Sequence, residues 1–379
     1  MQIIPIASGK GGVGKSLLAA NLAIALAQNG KKVILADLDL GGSNLHLILG
    51  LRSLPQGIGT FFTTSSVKFK DLLVKTDVPN LLFIPGDSEI PGMANLKPAQ
   101  KRSLITELKS LDAEFLIIDL GAGTGSNTID LFLMSSHGII VTTPTLTSTL
   151  NAYFFLKNSI FRILDTSFKK GSWASNHLKM LTTGASIQKI YVPRFLDLVK
   201  KEDPESYQAY RAHVEYFQPR LVFNMLEDPK DVEKAAKVRR STKEYLGLDL
   251  EHLGVIFRDE LQDIALGSRL PIILYKPQSL LSQAIYRIAD KLIQFDRADE
   301  APLDIEALEE THQVAAMEAE IDFEAKIAYI EDLLNTGALS IGDLVETIKT
   351  QQLEMTKLRN ENNLLKSKIV KAINGGFTF

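Results

Sequence analysis

Gly9-Lys10-Gly11-Gly12-Val13-Gly14-Lys15-Ser16 satisfies the pattern G-x-x-x-x-G-K-[ST] at every position. Before it, Ile3 to Ala7 reads as a short apolar strand; after it, Leu17 to Gln28 reads as a helix rich in Leu and Ala. Strand, glycine loop and helix start in that order make an anion cradle. Glycines let backbone N–H groups close on a phosphate, and the helix dipole adds its positive end. The chemistry of such a loop has Lys15 reach the β- and γ-phosphates of a nucleoside triphosphate while the Ser16 hydroxyl ligates Mg²⁺.

The second lysine, Lys10, narrows the reading. Lys10-Gly11-Gly12-Val13-Gly14-Lys15-Ser16 resembles the deviant Walker A motif of the MinD/ParA family of ATPases. The resemblance implies that Gly9 to Leu17, Val13 included, contacts ATP or ADP. It also implies that Lys10 reaches across an ATP-bound homodimer to the partner subunit's nucleotide.

Two further segments fit the same family. Asp37-Leu38-Asp39-Leu40-Gly41-Gly42-Ser43-Asn44, after the apolar run Lys32 to Ala36, is similar to its switch I segment. Carboxylates at the carboxyl end of a parallel strand face the crevice where open α/β sheets bind ligands. Asp39 is the candidate for positioning the attacking water, and Asp37 for supporting Mg²⁺. Glu114-Phe115-Leu116-Ile117-Ile118-Asp119-Leu120-Gly121-Ala122-Gly123 reads as Walker B followed by switch II. Asp119 would hold Mg²⁺ through water, and the Gly121 to Gly123 turn would let a backbone N–H sense the γ-phosphate. Lys10, Lys15 and Asp39 are thus the expected catalytic residues, and Ser16, Asp37 and Asp119 the metal group.

His137 to Pro144 and Pro219 to Asn224 read as two more buried strands. The resemblance makes Asn224 an adenine contact, with Met225 where many relatives carry Arg. Tyr245 to Ile256 and Pro271 to Ser279 are similar to the last strand and helix of the branch that holds MinD and the flagellar-number regulators. It spans roughly residues 1–160 and 220–295, interrupted by an insertion at 161–219. Helices are expected there over Ile160 to Phe168, Ile187 to Lys200 and Glu205 to Phe217. The insertion carries a slight basic excess, which suits a partner surface or a solvated helical hairpin.

Composition sets outer limits. A chain of 379 residues with 45% hydrophobic content buries a substantial core, and a net charge of −3 gives no general attraction to nucleic acid. The sequence has no cysteine, so disulfides and thiolate metal sites are excluded, including the paired cysteines of cluster-carrying relatives. No apolar run is long enough to span a bilayer, and Met1 leads almost directly into the first strand, so a cytoplasmic location is expected.

The catalytic domain is expected to cover 1–296, with a charged linker at 297–302 and a helical tail over 303–379. From Pro302 to Glu346 acidic residues dominate, and Lys326 is the only Lys or Arg. Ile305, Leu308, Ala315, Ala319, Phe323, Ile327, Ile330 and Leu334 make one apolar stripe, stopped at Asn335-Thr336-Gly337. Beyond it, Leu344, Ile348, Gln351, Met355, Leu358, Asn362, Leu365, Ile369 and Ala372 alternate steps of four and three, an a/d heptad repeat over 344–372. A parallel homodimer, an intramolecular hairpin and a partner helix all fit that stripe. A fourth option concerns the last turns: Leu364, Leu365, Ile369, Val370, Ile373, Phe377 and Phe379, among Lys366, Lys368 and Lys371, resemble an amphipathic membrane-targeting tail.

Together these features predict an α/β fold, a doubly wound, mostly parallel sheet of the P-loop NTPase type, with a helical insertion and an all-helical extension. The expected activity is Mg²⁺-dependent hydrolysis of ATP to ADP and phosphate in a dimeric switch that positions a cellular machine, at the inner face of the membrane if the tail anchors there. A non-hydrolysing scaffold and a DNA-segregation ATPase are the rival readings, the latter weaker because the chain is acidic.

Overall fold

The structure, a computed structural model, describes residues 1–51, 56–86, 96–182, 191–295, 303–336 and 340–374. Eight strands form one sheet: β1 (Gln2–Ala7), β2 (Val33–Leu38), β3 (Val74–Lys75), β4 (Leu81–Ile84), β5 (Phe115–Leu120), β6 (Ile139–Thr142), β7 (Arg220–Leu226) and β8 (Glu251–Phe257). Their order is β3-β4-β2-β5-β1-β6-β7-β8, parallel throughout except for the antiparallel edge pair β3–β4. The strand reading from sequence did not include β3 and β4. A two-residue strand and a four-residue apolar run are too short to show a period.

Side chains alternate between the two faces of each strand, so both faces can be covered. Val33, Leu35, Phe115 and Ile117 pack with the Lys15–Gln28 and Leu280–Phe295 helices on one face. Ile34, Ala36, Leu116 and Ile118 pack on the other with Leu104 and Leu108 of the Pro98–Lys109 helix and Phe155, Leu156 and Ile160 of the Leu146–Ser167 helix. This is the doubly wound arrangement expected, and it aims every parallel strand's carboxyl end at one rim.

The insertion is helical. The Leu146–Ser167 helix runs into it, followed by helices Trp173–Thr182, Val192–Glu202 and Pro204–Val214. The first of these three was not anticipated; His177 stacks there between Trp173 and Phe195, at 4.7 and 6.0 Å between ring centroids. The helix start expected at Ile187 lies outside the described residues.

The chain divides into two units, Met1–Phe323 and Glu324–Phe379. The linker expected at 297–302 lies outside the described residues. Residues 303–323, grouped with the tail on composition, instead pack with the first unit. In the Ile305–Asn335 helix, Leu308, Ala315 and Ala319 are buried, Glu318 pairs with Lys291 at 2.8 Å, and Asp322 and Glu309 pair with Arg287 and Arg239. Gln218 exchanges both amide hydrogen bonds with the backbone of Leu303, at 3.0 and 2.9 Å. The acidic residues of this stretch supply partners for basic side chains of the domain. The expected apolar stripe is used in part, because Ile305 and Ile327 are exposed.

In the second unit the helix ends at Asn335, and a further helix runs over Ile341–Asn374. Along it Ile348, Met355, Leu358, Asn362, Leu365 and Ile369 are all exposed. Among the described residues of this unit, nothing covers these positions. Phe377 and Phe379 lie outside the described residues. Among the described residues no helix is long and apolar enough to cross a membrane.

Candidate nucleotide site

The rim at the carboxyl ends of β1, β2 and β5 gathers the motifs. β1 leads into the loop, and the Lys15–Gln28 helix begins directly after Gly14. Gly12 and Gly14 have φ of +79° and +84°, a left-handed conformation open to glycine. Space demands it as well: a Cβ on Gly14 would stand 2.4 Å from Asn224 Nδ2, and one on Gly9 would stand 2.1 Å from the Asn151 carbonyl oxygen. Gly11 and Gly12 are exposed, so the loop opens to a ligand.

Parallel register sets Asp119 beside Ile6 of β1 on one side and Asp37 of β2 on the other. Lys15 Nζ donates to Asp119 Oδ1 at 2.6 Å, with both groups buried, and lies 3.3 Å from Ser16 Oγ. Burial pushes the Asp119 carboxyl up to about 6, against the pull of Lys15. Ser16 and Asp119 are hard oxygen donors, and Mg²⁺ accepts one or two such groups and completes its shell from phosphate and water. The residues present therefore fit Mg²⁺. Among the described residues there is no group of three or more His, Asp or Glu side chains that would make a separate all-protein metal cage.

Asp37 is fully buried and organises switch I. Its Oδ1 accepts from the Asp39 N–H at 3.1 Å, and its Oδ2 from Ser43 Oγ at 2.7 Å and the Leu45 N–H at 3.2 Å. Burial raises its carboxyl above the usual range, while those three donors oppose the rise. Asp39 is half-buried, and a Cβ on Gly121 would come within 3.2 Å of its Oδ1, so switch I and switch II are in contact. Switch II is in turn tied to the loop's approach, since the Gly123 N–H donates to the Ser8 carbonyl at 2.9 Å.

Two expected ligand contacts look different in the folded chain. Lys10 is exposed, and its Nζ donates to Thr147 Oγ1 at 3.5 Å, at the start of the Leu146–Ser167 helix. Asn224 donates to the Val13 carbonyl at 2.8 Å and accepts from the Met225 N–H at 2.9 Å, so both ends of its amide are engaged. It lines a cleft of about 240 Å³ with Gly14, Leu17, Met225, Arg258 and Asp259. The sequence reading missed Arg258, Asp259 and the Gly9 contact at Asn151. The first two follow β8, where position at a strand's carboxyl end was the available signal.

A glycine loop on a helix start, with a buried lysine–aspartate pair and two adjoining switch segments, defines a P-loop nucleotide-binding domain. The ParA family model, described as NUBPL iron-transfer P-loop NTPase, matches residues 1–157. The iron-transfer wording of that description finds no thiolate here, since the sequence lacks cysteine. Among curated relatives, the septum site-determining protein MinD of Synechocystis sp. is 37% identical over 153 residues, covering 40% of this chain and 56% of that one. The flagellum site-determining protein YlxH of Helicobacter pylori is 34% identical over 160 residues, covering 41% and 53%. The chain thus spans little more than half the length of these relatives. A solved structure of MinD from Pyrococcus horikoshii, complexed with Mg-ADP, covers 80% of this chain and 99% of its own, with 22% identity and a TM-score of 0.54, a likeness of fold.

Proposed function

We propose that the protein is a Mg²⁺-dependent ATPase switch of the MinD/ParA type, hydrolysing ATP to ADP and phosphate and using an ATP-bound homodimer to position a cellular machine such as a division site or flagellum. The observation that carries this reading is the Lys15–Asp119 pair set against two touching switch segments. Without nucleotide, Asp119 neutralises Lys15. A triphosphate offers Lys15 a stronger anion, and the turn of the ammonium toward the β- and γ-phosphates releases Asp119 to hold Mg²⁺ together with Ser16. The metal ion, once bound, neutralises charge on the phosphates.

Asp39 is assigned to orient the water that attacks the γ-phosphate. Attack forms a new P–O bond as the bond to the ADP oxygen breaks. Its contact with Gly121 means that phosphate loss at one switch is felt at the other, a two-state element suited to opening a dimer. Lys10, exposed and held by a long contact to Thr147, is assigned to complete a neighbouring subunit's site. Asn224, beside Val13 and the cleft, serves the base. The MinD and YlxH relatives, named for septum and flagellum placement, support the positional role.

The test is phosphate release from ATP with Mg²⁺, together with molar mass in ADP and ATP. Wild type is expected to turn over slowly, and Lys15→Ala to lose nucleotide binding. Lys10→Ala is expected to bind ATP but lose turnover. Tight ATP binding with no phosphate release above background would favour the scaffold reading and sink the enzyme. ATP-dependent, salt-sensitive retention on duplex DNA would favour DNA segregation over surface positioning.

A further inference from the structure

We propose that the Ile341–Asn374 helix is one strand of a parallel, in-register, two-stranded coiled coil with a second copy of this chain, so that two subunits stay joined whichever nucleotide they carry. The helix has 34 residues, about 51 Å at 1.5 Å per residue. Ile348, Met355, Leu358, Leu365 and Ile369 are 45% to 59% exposed, which leaves an apolar stripe, broken by Asn362, uncovered. A helix with such a stripe gains its stability from whatever buries it.

The pattern along the stripe selects the occupant. With Leu344 at d, Ile348, Met355, Asn362 and Ile369 are a positions, and Gln351, Leu358, Leu365 and Ala372 are d positions. Isoleucine at a with leucine at d favours two strands. Glu354 and Glu361 fall at g, and Arg359 and Lys366 at e, five residues onward. In a parallel pair each g residue meets the following e residue of the other strand, so both contacts join opposite charges. In an antiparallel pair g meets g and e meets e, and end-to-end overlap of two such helices sets Glu354 against Glu361.

Asn362 decides between a second helix and a lipid surface. In a parallel, in-register dimer its amide meets the same amide of the second copy, a pairing that specifies register and two-strandedness. In an antiparallel pair overlapping end to end it would face Gln351 at d, so that orientation is disfavoured by the flanking charges and not by the asparagine. On a bilayer, Gln351 and Asn362 would lie in the middle of the inserted stripe with no partner, at a cost in buried polar groups. The tether turns the ATP-dependent meeting of the two domains into an intramolecular event, at an effective concentration on the order of millimolar where the connection lets them meet.

This inference stands apart from the hydrolysis reading, because its test uses ADP or no nucleotide. The full chain is expected to sediment at twice its chain mass in both conditions. Leu358→Glu with Leu365→Glu is expected to halve that mass and leave nucleotide affinity unchanged. Since the chain has no cysteine, Gln351→Cys puts a single thiol at a d position. Mild oxidation with diamide is expected to link it to the same cysteine of a second copy. A monomer in ADP overturns the proposal, and so does a dimer that survives the two glutamates or one whose Gln351→Cys form does not cross-link. Binding to anionic phospholipid vesicles by a chain that is monomeric in ADP would overturn it in favour of a membrane anchor.

Discussion

Acidification tests the packing of the acidic helix on the nucleotide domain. His252 on β8 is 4% exposed, and its Nδ1 lies 3.1 Å from Nδ1 of His312 on the Ile305–Asn335 helix. Burial, then the neighbouring His312 and Arg239, push the His252 imidazole down to about 3, with the Ala235 carbonyl pulling the other way. His312 is also lowered, by burial and by Arg239 and Arg240 against the opposing pull of Glu309. A base held neutral in the fold but free to charge when unfolded binds fewer protons folded than unfolded. Its contribution is therefore complete above the ordinary imidazole value near 6.5 and is lost as pH falls from there toward 3. Between pH 7.5 and 5.5 the loss from His252 is about 1.4 kcal/mol, set by protonation of the unfolded chain alone because the folded value lies far below the window. Urea unfolding of wild type and His252→Leu at both pH values reads it. The variant is expected to lose about 1.4 kcal/mol less than wild type, and the comparison cancels carboxylates such as Asp119 that titrate in both proteins. Equal losses would refute the reasoning, because they would mean that His252 takes up its proton inside the fold.

Four further outcomes follow from the geometry. Gly9→Ala brings a Cβ to 2.1 Å from a backbone oxygen of Asn151, which no rotamer relieves, so nucleotide affinity should fall at least tenfold (roughly 1.4 kcal/mol). Gly11→Ala has nothing within 4 Å and should melt within about 0.5 kcal/mol of wild type by calorimetry. Arg220 and Glu251, paired at 2.8 Å and both nearly inaccessible, should cost about 3–5 kcal/mol when either is removed alone, and much less when Arg220→Met and Glu251→Leu are combined, as denaturant titration would show. Asp119→Asn should weaken nucleotide binding in Mg²⁺ at least tenfold (roughly 1.4 kcal/mol) and change it less in EDTA, measured by calorimetric titration.

Local patterns carried the central fold. The loop from Gly9 to Ser16, the apolar strands ending at Asp37 and Asp119, and the Leu- and Ala-rich run from Leu17 to Gln28 each describe backbone that forms from neighbouring residues. Their order alone brings the three motifs to one rim, because parallel strands share a direction. Contacts between distant residues were not legible in this way. Asn151 beneath Gly9, the amide of Asn224 on Val13, and Arg258 and Asp259 at the cleft depend on separations of many tens of residues. So does the embrace of residues 303–323, which composition grouped with the tail and whose acids Arg239, Arg287 and Lys291 turned into anchors. The sequence by itself determined the P-loop, the switch carboxylates and the heptad, since each is a spacing along one chain. Only the tertiary structure decided which side chains face one another across the sheet, because that depends on how two covered faces close, and no local period encodes it.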